Sequence, residues 1–134
     1  MTIRLTIRPP DTTFVAKVIV FDEQGRILLL KRKANQKYPS QWDLPGGHLL
    51  QGEDWPTGAQ REVAEETNLR VTNLEKVFKD GRKQYYKTKT FSGRLFDHGE
   101  LPEHDEYIWL ESEKIDKLND IGDIYKDAIR RSLA

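Results

Sequence analysis

The sequence predicts an α/β (α+β) domain built on a mixed sheet, and three features of its 134 residues point there. Segments alternating with the two-residue period of half-buried strands come first. A segment with acids at helical spacing follows, and further strands with a closing helical stretch complete the order. Apolar residues make up 37% of the chain and charged residues 33%, the balance of a globular protein with one core. Residues 1–134 are therefore expected to form a single domain.

Each element has its own signal. Ile3, Leu5 and Ile7 alternate with polar residues until Pro9-Pro10 ends the run. Phe14 to Phe21 is rich in β-branched residues, and Asp22-Glu23-Gln24-Gly25 turns the chain into a second strand, Arg26 to Arg32. A polar loop, Lys33 to Gln41, leads to the apolar pair Trp42 and Leu44, and Pro45-Gly46-Gly47 is expected to break regular structure. Asp54 is the natural N-cap of a helix running to about Thr67, with Pro56 tolerated in its first turn. Val71 to Lys79 and Tyr85 to Phe96 read as strands joined by a turn at Asp80-Gly81. Asp105 to Leu110 is a shorter strand. Ser112 to Leu133 reads as a helix interrupted near Asn119 to Gly122.

Composition removes several functions. There is no cysteine, so disulfides, zinc thiolate sites and cysteine nucleophiles are excluded. Lysine plus arginine and aspartate plus glutamate each number 22, a balance that argues against general polyanion binding. Met1 to Pro10 holds no apolar core of signal-peptide length, and no apolar stretch is long enough for a bilayer. A cytoplasmic location with no membrane partner is the expectation. His48, His98 and His104 lack metal-ligand spacing and read as structural or exposed.

The chemistry concentrates in Arg61-Glu62-Val63-Ala64-Glu65-Glu66. On a helix, Glu62 lies three residues from Glu65 and four from Glu66, so the three carboxylates share a face. Like charges at that spacing repel by a few tenths of a kcal/mol per pair, roughly, and the helix dipole disfavours anions near its C-terminus. A hard divalent cation would relieve both effects. A solvated acidic face is the alternative, and the upstream Gly46-Gly47, which lets backbone approach phosphate or metal, weighs against it.

Gly47, Glu53, Arg61, Glu62, Val63, Glu65, Glu66 and Leu69, with Trp42-Asp43-Leu44-Pro45-Gly46 before them, resemble the Nudix box at every defined position but one. Asn68 stands where that pattern has its last glycine, and asparagine is the next-best residue for a left-handed helix end. The resemblance implies a Nudix fold, with a mixed sheet sandwiched between helices. It also implies magnesium or manganese held by Glu62, Glu65 and Glu66, with the Gly46 carbonyl as a further ligand. Arg61 would orient the acids through a salt bridge to Glu53. The implied reaction is hydrolysis of a diphosphate linkage in a nucleoside diphosphate derivative, in which metals neutralise charge and activate water. Either Glu62 or Glu103 would be the base. Glu103, six residues before Trp109, stands where family members often carry a loop glutamate as ligand or base, the alternative being a solvated loop acid.

A small-molecule nucleotide is the implied partner, and a homodimer is an open assembly. Arg32 closes the second strand, while Lys83, Tyr85 and Lys87 share strand parity. They would contact phosphate and stack on a base, or form an ordinary solvated face. Tyr85 and Tyr86 also stand where diadenosine polyphosphate hydrolases of the family carry tyrosines; a nucleoside triphosphate is the competing substrate. An isomerase of the same fold would need a cysteine. A non-catalytic binding module would typically have lost acids of the box, and this chain keeps all of them.

Overall fold

The computed structural model describes residues 10–33, 39–96 and 104–134. The expected strand at Ile3 to Ile7, together with His98 and Glu103, lies outside these residues. The described chain runs β1 (Pro10–Val20), β2 (Ile27–Arg32), β3 (Trp42–Asp43), β4 (Gly46–Leu50), α1 (Trp55–Thr67), β5 (Arg70–Thr72), β6 (Glu75–Asp80), β7 (Lys83–Thr88), β8 (Thr90–Ser92), β9 (His104–Leu110), a 3-10 turn (Ser112–Lys117) and α2 (Asp123–Ser132).

Three sheets result, ordered β4-β1-β7-β6, β3-β2-β9 and β5-β8. The first is mixed, because β1 and β7 run parallel while its other pairs are antiparallel. Alternation along β1 explains the layers. Ala16, Val18 and Val20 pack with Ala59 and Val63 of α1, whereas Ile19 turns the other way, toward Ala128 and Ile129 of α2. Leu28 and Leu30 join the α1 side, and Ile27 and Leu29 join the α2 side. Covered on both faces, Ile27 to Leu30 can be an unbroken apolar run rather than an alternating one. The mixed sheet between helices is as expected.

Three boundaries differ from expectation. Gly46 and Gly47 do not break regular structure; they open β4, pairing with Lys17 and Ala16 of β1. A Cβ on Gly46, whose φ is 133°, would lie 2.1 Å from the Ala16 carbonyl oxygen, so glycine is what permits that pairing. The stretch Val71 to Lys79 is two strands in different sheets, because Asn73 adopts φ 54° and turns the chain between β5 and β6. The stretch Tyr85 to Phe96 divides at Lys89 into β7 and β8, with the Thr90 amide donating to Thr88 Oγ1 (3.1 Å). No helix among the described residues is long and apolar enough to cross a membrane.

Candidate functional site

Asp54 caps α1, its Oδ2 accepting from the Thr57 amide (3.3 Å) and hydroxyl (3.0 Å). The far end closes at Asn68, whose φ of 69° is the left-handed conformation expected there. Its Nδ2 donates to the Arg94 carbonyl at 3.0 Å. Between these ends the helix carries its acids into two environments.

Arg61 organises the outer one. Its guanidinium donates to Glu53 twice (Nε to Oε2, 2.9 Å; Nη2 to Oε1, 3.1 Å) and also to the His48 carbonyl (3.0 Å). Nη1 reaches Glu62 Oε1 at 3.3 Å and Glu65 Oε2 at 3.0 Å. Glu53 itself accepts from the Leu50 amide at 3.0 Å, which ties the loop after β4 to the helix. Glu62 packs against Gly47, where a Cβ would sit 2.5 Å from Glu62 Oε2. Glu65 points outward, with 58% of its side chain exposed.

Glu66 faces inward. Its Oε1 accepts the Gly46 amide at 2.7 Å, and Oε2 lies 3.8 Å from His104 Nδ1. Burial holds this carboxyl well above the usual carboxylate range. Lys17 opposes that shift, while Asp43 and Glu62 add to it.

Beside Glu66 lies a charge network that the sequence reading missed. Lys17 Nζ donates to Asp43 Oδ1 (3.1 Å), the Leu44 carbonyl (3.0 Å) and the Gly46 carbonyl (3.4 Å). Asp43 Oδ2 meets His104 Nε2 at 3.1 Å and Arg32 Nη1 at 3.2 Å. Lys17, Asp43 and His104 are 6%, 2% and 1% exposed. Burial works against the Lys17 charge, but the Asp43 carboxylate outweighs it and lifts the ammonium above the ordinary lysine value. Asp43, buried yet faced by Lys17 and His104, is held below the usual carboxylate range. The available signal was a single charge inside the apolar run Val15-Ala16-Lys17-Val18-Ile19.

The expected substrate face is corrected. Lys83, Tyr85 and Lys87 do share a side of β7, but α2 packs there, burying Tyr85 and leaving the two lysines half-buried. Tyr85 is fully buried and stacks on Phe78 (centroids 4.9 Å apart), with Tyr125 edge-on at 6.3 Å. No face of its ring is left for a base. Lys83 Nζ sits 5.1 Å from the Tyr125 ring, and Lys87 Nζ donates to the Ser132 carbonyl at 3.0 Å. Arg32 is drawn to Asp43. Tyr86 is buried on the α1 side. Lys87 also lines a recess of about 640 Å³, and another of about 460 Å³ opens beside Leu69; no acid of the box lines either.

The donors around Gly46 suit a hard cation. Glu62 and Glu66 offer carboxylate oxygens, and the Gly46 carbonyl keeps a second lone pair beside its contact with Lys17. Glu66 carries a charge that burial destabilises and that a divalent ion would compensate. Among the described residues, no three acid or imidazole side chains converge on one point; Glu65 is turned to Arg61. Water would complete the shell, as magnesium prefers.

Known proteins resemble this chain in sequence and in fold. A Pelagibacter ubique protein named RNA pyrophosphohydrolase is 34% identical over 79 residues, 59% of this chain and 48% of that protein. A MutT-like protein of Streptomyces ambofaciens is 44% identical over 66 residues, 49% of this chain and 40% of its own length. The chain thus spans about half the length of the curated relatives it matches. The crystal structure of a MutT protein from Methanosarcina mazei Go1 superimposes with a TM-score of 0.64 at 28% identity, covering 94% of this chain and 95% of that one. Residues 11–131 match the family model described as NUDIX domain, and the chain belongs to that family.

Proposed function

We propose that the protein hydrolyses a diphosphate linkage in a nucleotide, using magnesium or manganese. The carrying observation is the buried Glu66 carboxylate against the Gly46 amide, with Glu62 packed on Gly47 beside it. A divalent ion bound there supplies charge neutralisation for the diphosphate and a more acidic water. Glu62, Glu66 and the Gly46 carbonyl would hold it, and Glu65 would join them on leaving Arg61. Arg61 and Glu53 orient the acids and fix the loop after β4. Glu62, 18% exposed and packed against Gly47, would take the proton from the attacking water, a reading its partial exposure supports. Glu103 remains the other base.

A relative named RNA pyrophosphohydrolase supports a pyrophosphate bond as the target. The placement of Tyr85 and Tyr86 is the argument for a dinucleoside polyphosphate, and the burial of both rings weighs against it. A nucleoside triphosphate is the reading carried forward. The test is a panel of nucleoside triphosphates, dinucleoside polyphosphates and 5′-triphosphorylated RNA, assayed with magnesium, with manganese and with a chelator. Release of nucleoside monophosphate, pyrophosphate or phosphate only with metal is the expected result. Binding without turnover across the panel would leave a non-catalytic module, and turnover in chelator would remove the metal mechanism.

A further inference from the structure

Lys17 occupies a position that sequence pattern reserves for an apolar residue. It shares strand parity with Ile19, and that side of the sheet is built from Ile27, Leu29, Leu44 and Ile129. An ion pair in such a place gives little net stability, because desolvating two charges offsets most of their attraction. What it does supply is direction. An ammonium has three donors, and Lys17 aims them at Asp43 Oδ1, the Leu44 carbonyl and the Gly46 carbonyl. All three acceptors lie on one short segment, Asp43 to Gly46, which Val18 also grips through the Pro45 carbonyl (2.8 Å).

The contacts continue around a closed loop. From Asp43 the path runs to His104 Nε2 at 3.1 Å, and from His104 Nδ1 to Glu66 Oε2 at 3.8 Å. Glu66 Oε1 returns to the Gly46 amide at 2.7 Å, and the Gly46 carbonyl returns to Lys17. Strands β1, β3, β4 and β9 and helix α1 each contribute one or more members. The Gly46 carbonyl and the Glu66 carboxylate, the two groups on this loop that would hold a cation, are thereby contacted by Lys17 and His104.

We propose that Lys17, acting with Asp43 and His104, is a positioning residue that pre-orders the Gly46 carbonyl and the Glu66 carboxylate for a divalent cation. The inference rests on the metal reading of those two groups. It makes an unusual prediction of sign. Counting charges alone, deleting a buried cation beside a metal site should tighten metal binding. Deleting a positioning residue should weaken it, by the ~10- to 100-fold typical of residues that support a metal ligand.

The experiment measures manganese affinity of the full chain, by the electron paramagnetic resonance signal of free Mn²⁺, well below the melting temperature. Lys17→Met leaves Asp43 with Arg32 and His104, so the carboxylate is not orphaned. A Kd at least about 10-fold above wild type is expected. The double variant Lys17→Met/Asp43→Asn guards against a misfolded single variant. It leaves net charge unchanged, so charge counting predicts no change in Kd, whereas positioning predicts the same ~10-fold weakening. Unchanged or tighter Mn²⁺ binding in either folded variant overturns the proposal. A lower melting temperature with wild-type Kd would mean a purely structural role, and a raised KM alone would make Lys17 a substrate ligand. Both results overturn it too. Wild-type protein that binds no Mn²⁺ would remove the metal reading itself, a failure distinct from a wild type that binds and a Lys17→Met that binds equally well.

Discussion

Glu65 and Glu66 are adjacent in the chain, yet one side chain is 58% exposed beside Arg61 and the other 6% exposed against Gly46. The outer acid sits in water, where an arginine at i−4 screens it cheaply and where losing the Glu65–Arg61 contact itself costs little. The inner acid is shielded from solvent and, among the described residues, forms no ion pair with a lysine or arginine, and burial pushes its pKa up. Two carboxylates of one motif therefore carry charge at different free-energy cost. The inner one has more to gain from a cation.

That contrast is broken or sharpened by substitution. Glu66→Gln is expected to lower turnover by about two orders of magnitude, the scale of losing a ligand or charge-stabilising group. Without metal it should melt no lower than wild type, since glutamine can still accept from the Gly46 amide and carries no buried charge. Glu65→Gln should cost distinctly less activity. Equal losses in steady-state assays would erase the difference between the two environments.

A smaller effect is expected in the clamp. Arg61→Met strips Glu53, whose side chain is 6% exposed, of both guanidinium bonds, while its bond from the Leu50 amide stays. The expected destabilisation is about 1–2 kcal/mol, reduced from the fully buried case because Arg61 is partly solvated. Urea unfolding with no change in midpoint would contradict it.

The inner network should show in acid. Asp43 has its pKa depressed below the ordinary 3.8, so its stabilisation is complete above that value and is lost as pH falls through the lower one. Asp43→Asn should flatten the fall of stability below about pH 3.8 by up to roughly 1.4 kcal/mol per pH unit relative to wild type. Parallel denaturation curves at several acidic pH values would show that Asp43 carries no such linkage.

Least of all is expected from Tyr85→Phe. Among the described residues, the Tyr85 hydroxyl is buried without a hydrogen-bond partner, so removing it should be neutral or stabilising by less than about 1 kcal/mol. KM should not move. A large rise in KM would return Tyr85 to the substrate face.

The outer environment was legible because its grammar is local. An aspartate cap, acids at i, i+3 and i+4, and an asparagine in the left-handed position all act within one helix. The inner one was not, because Lys17 finds Asp43 and Gly46 across separations of 26 and 29 residues, through strand pairing that no short window contains. The same limit explains the misread lysine and tyrosine face. Parity placed Lys83, Tyr85 and Lys87 together correctly, but only the packing of α2 decides that the face is covered. At Asn73 a positive φ, which asparagine tolerates without advertising, split one expected strand into two.

Whether a divalent cation acts at the inner acid is read from thermal melting with and without magnesium. A ligand that binds only the folded state raises the melting temperature by an amount that grows with the logarithm of its concentration above Kd. Wild-type protein should gain thermal stability as magnesium is added, and Glu66→Gln, folded and equally stable without metal, should gain little or nothing. An equal gain in both proteins, or none in wild type, would contradict the account.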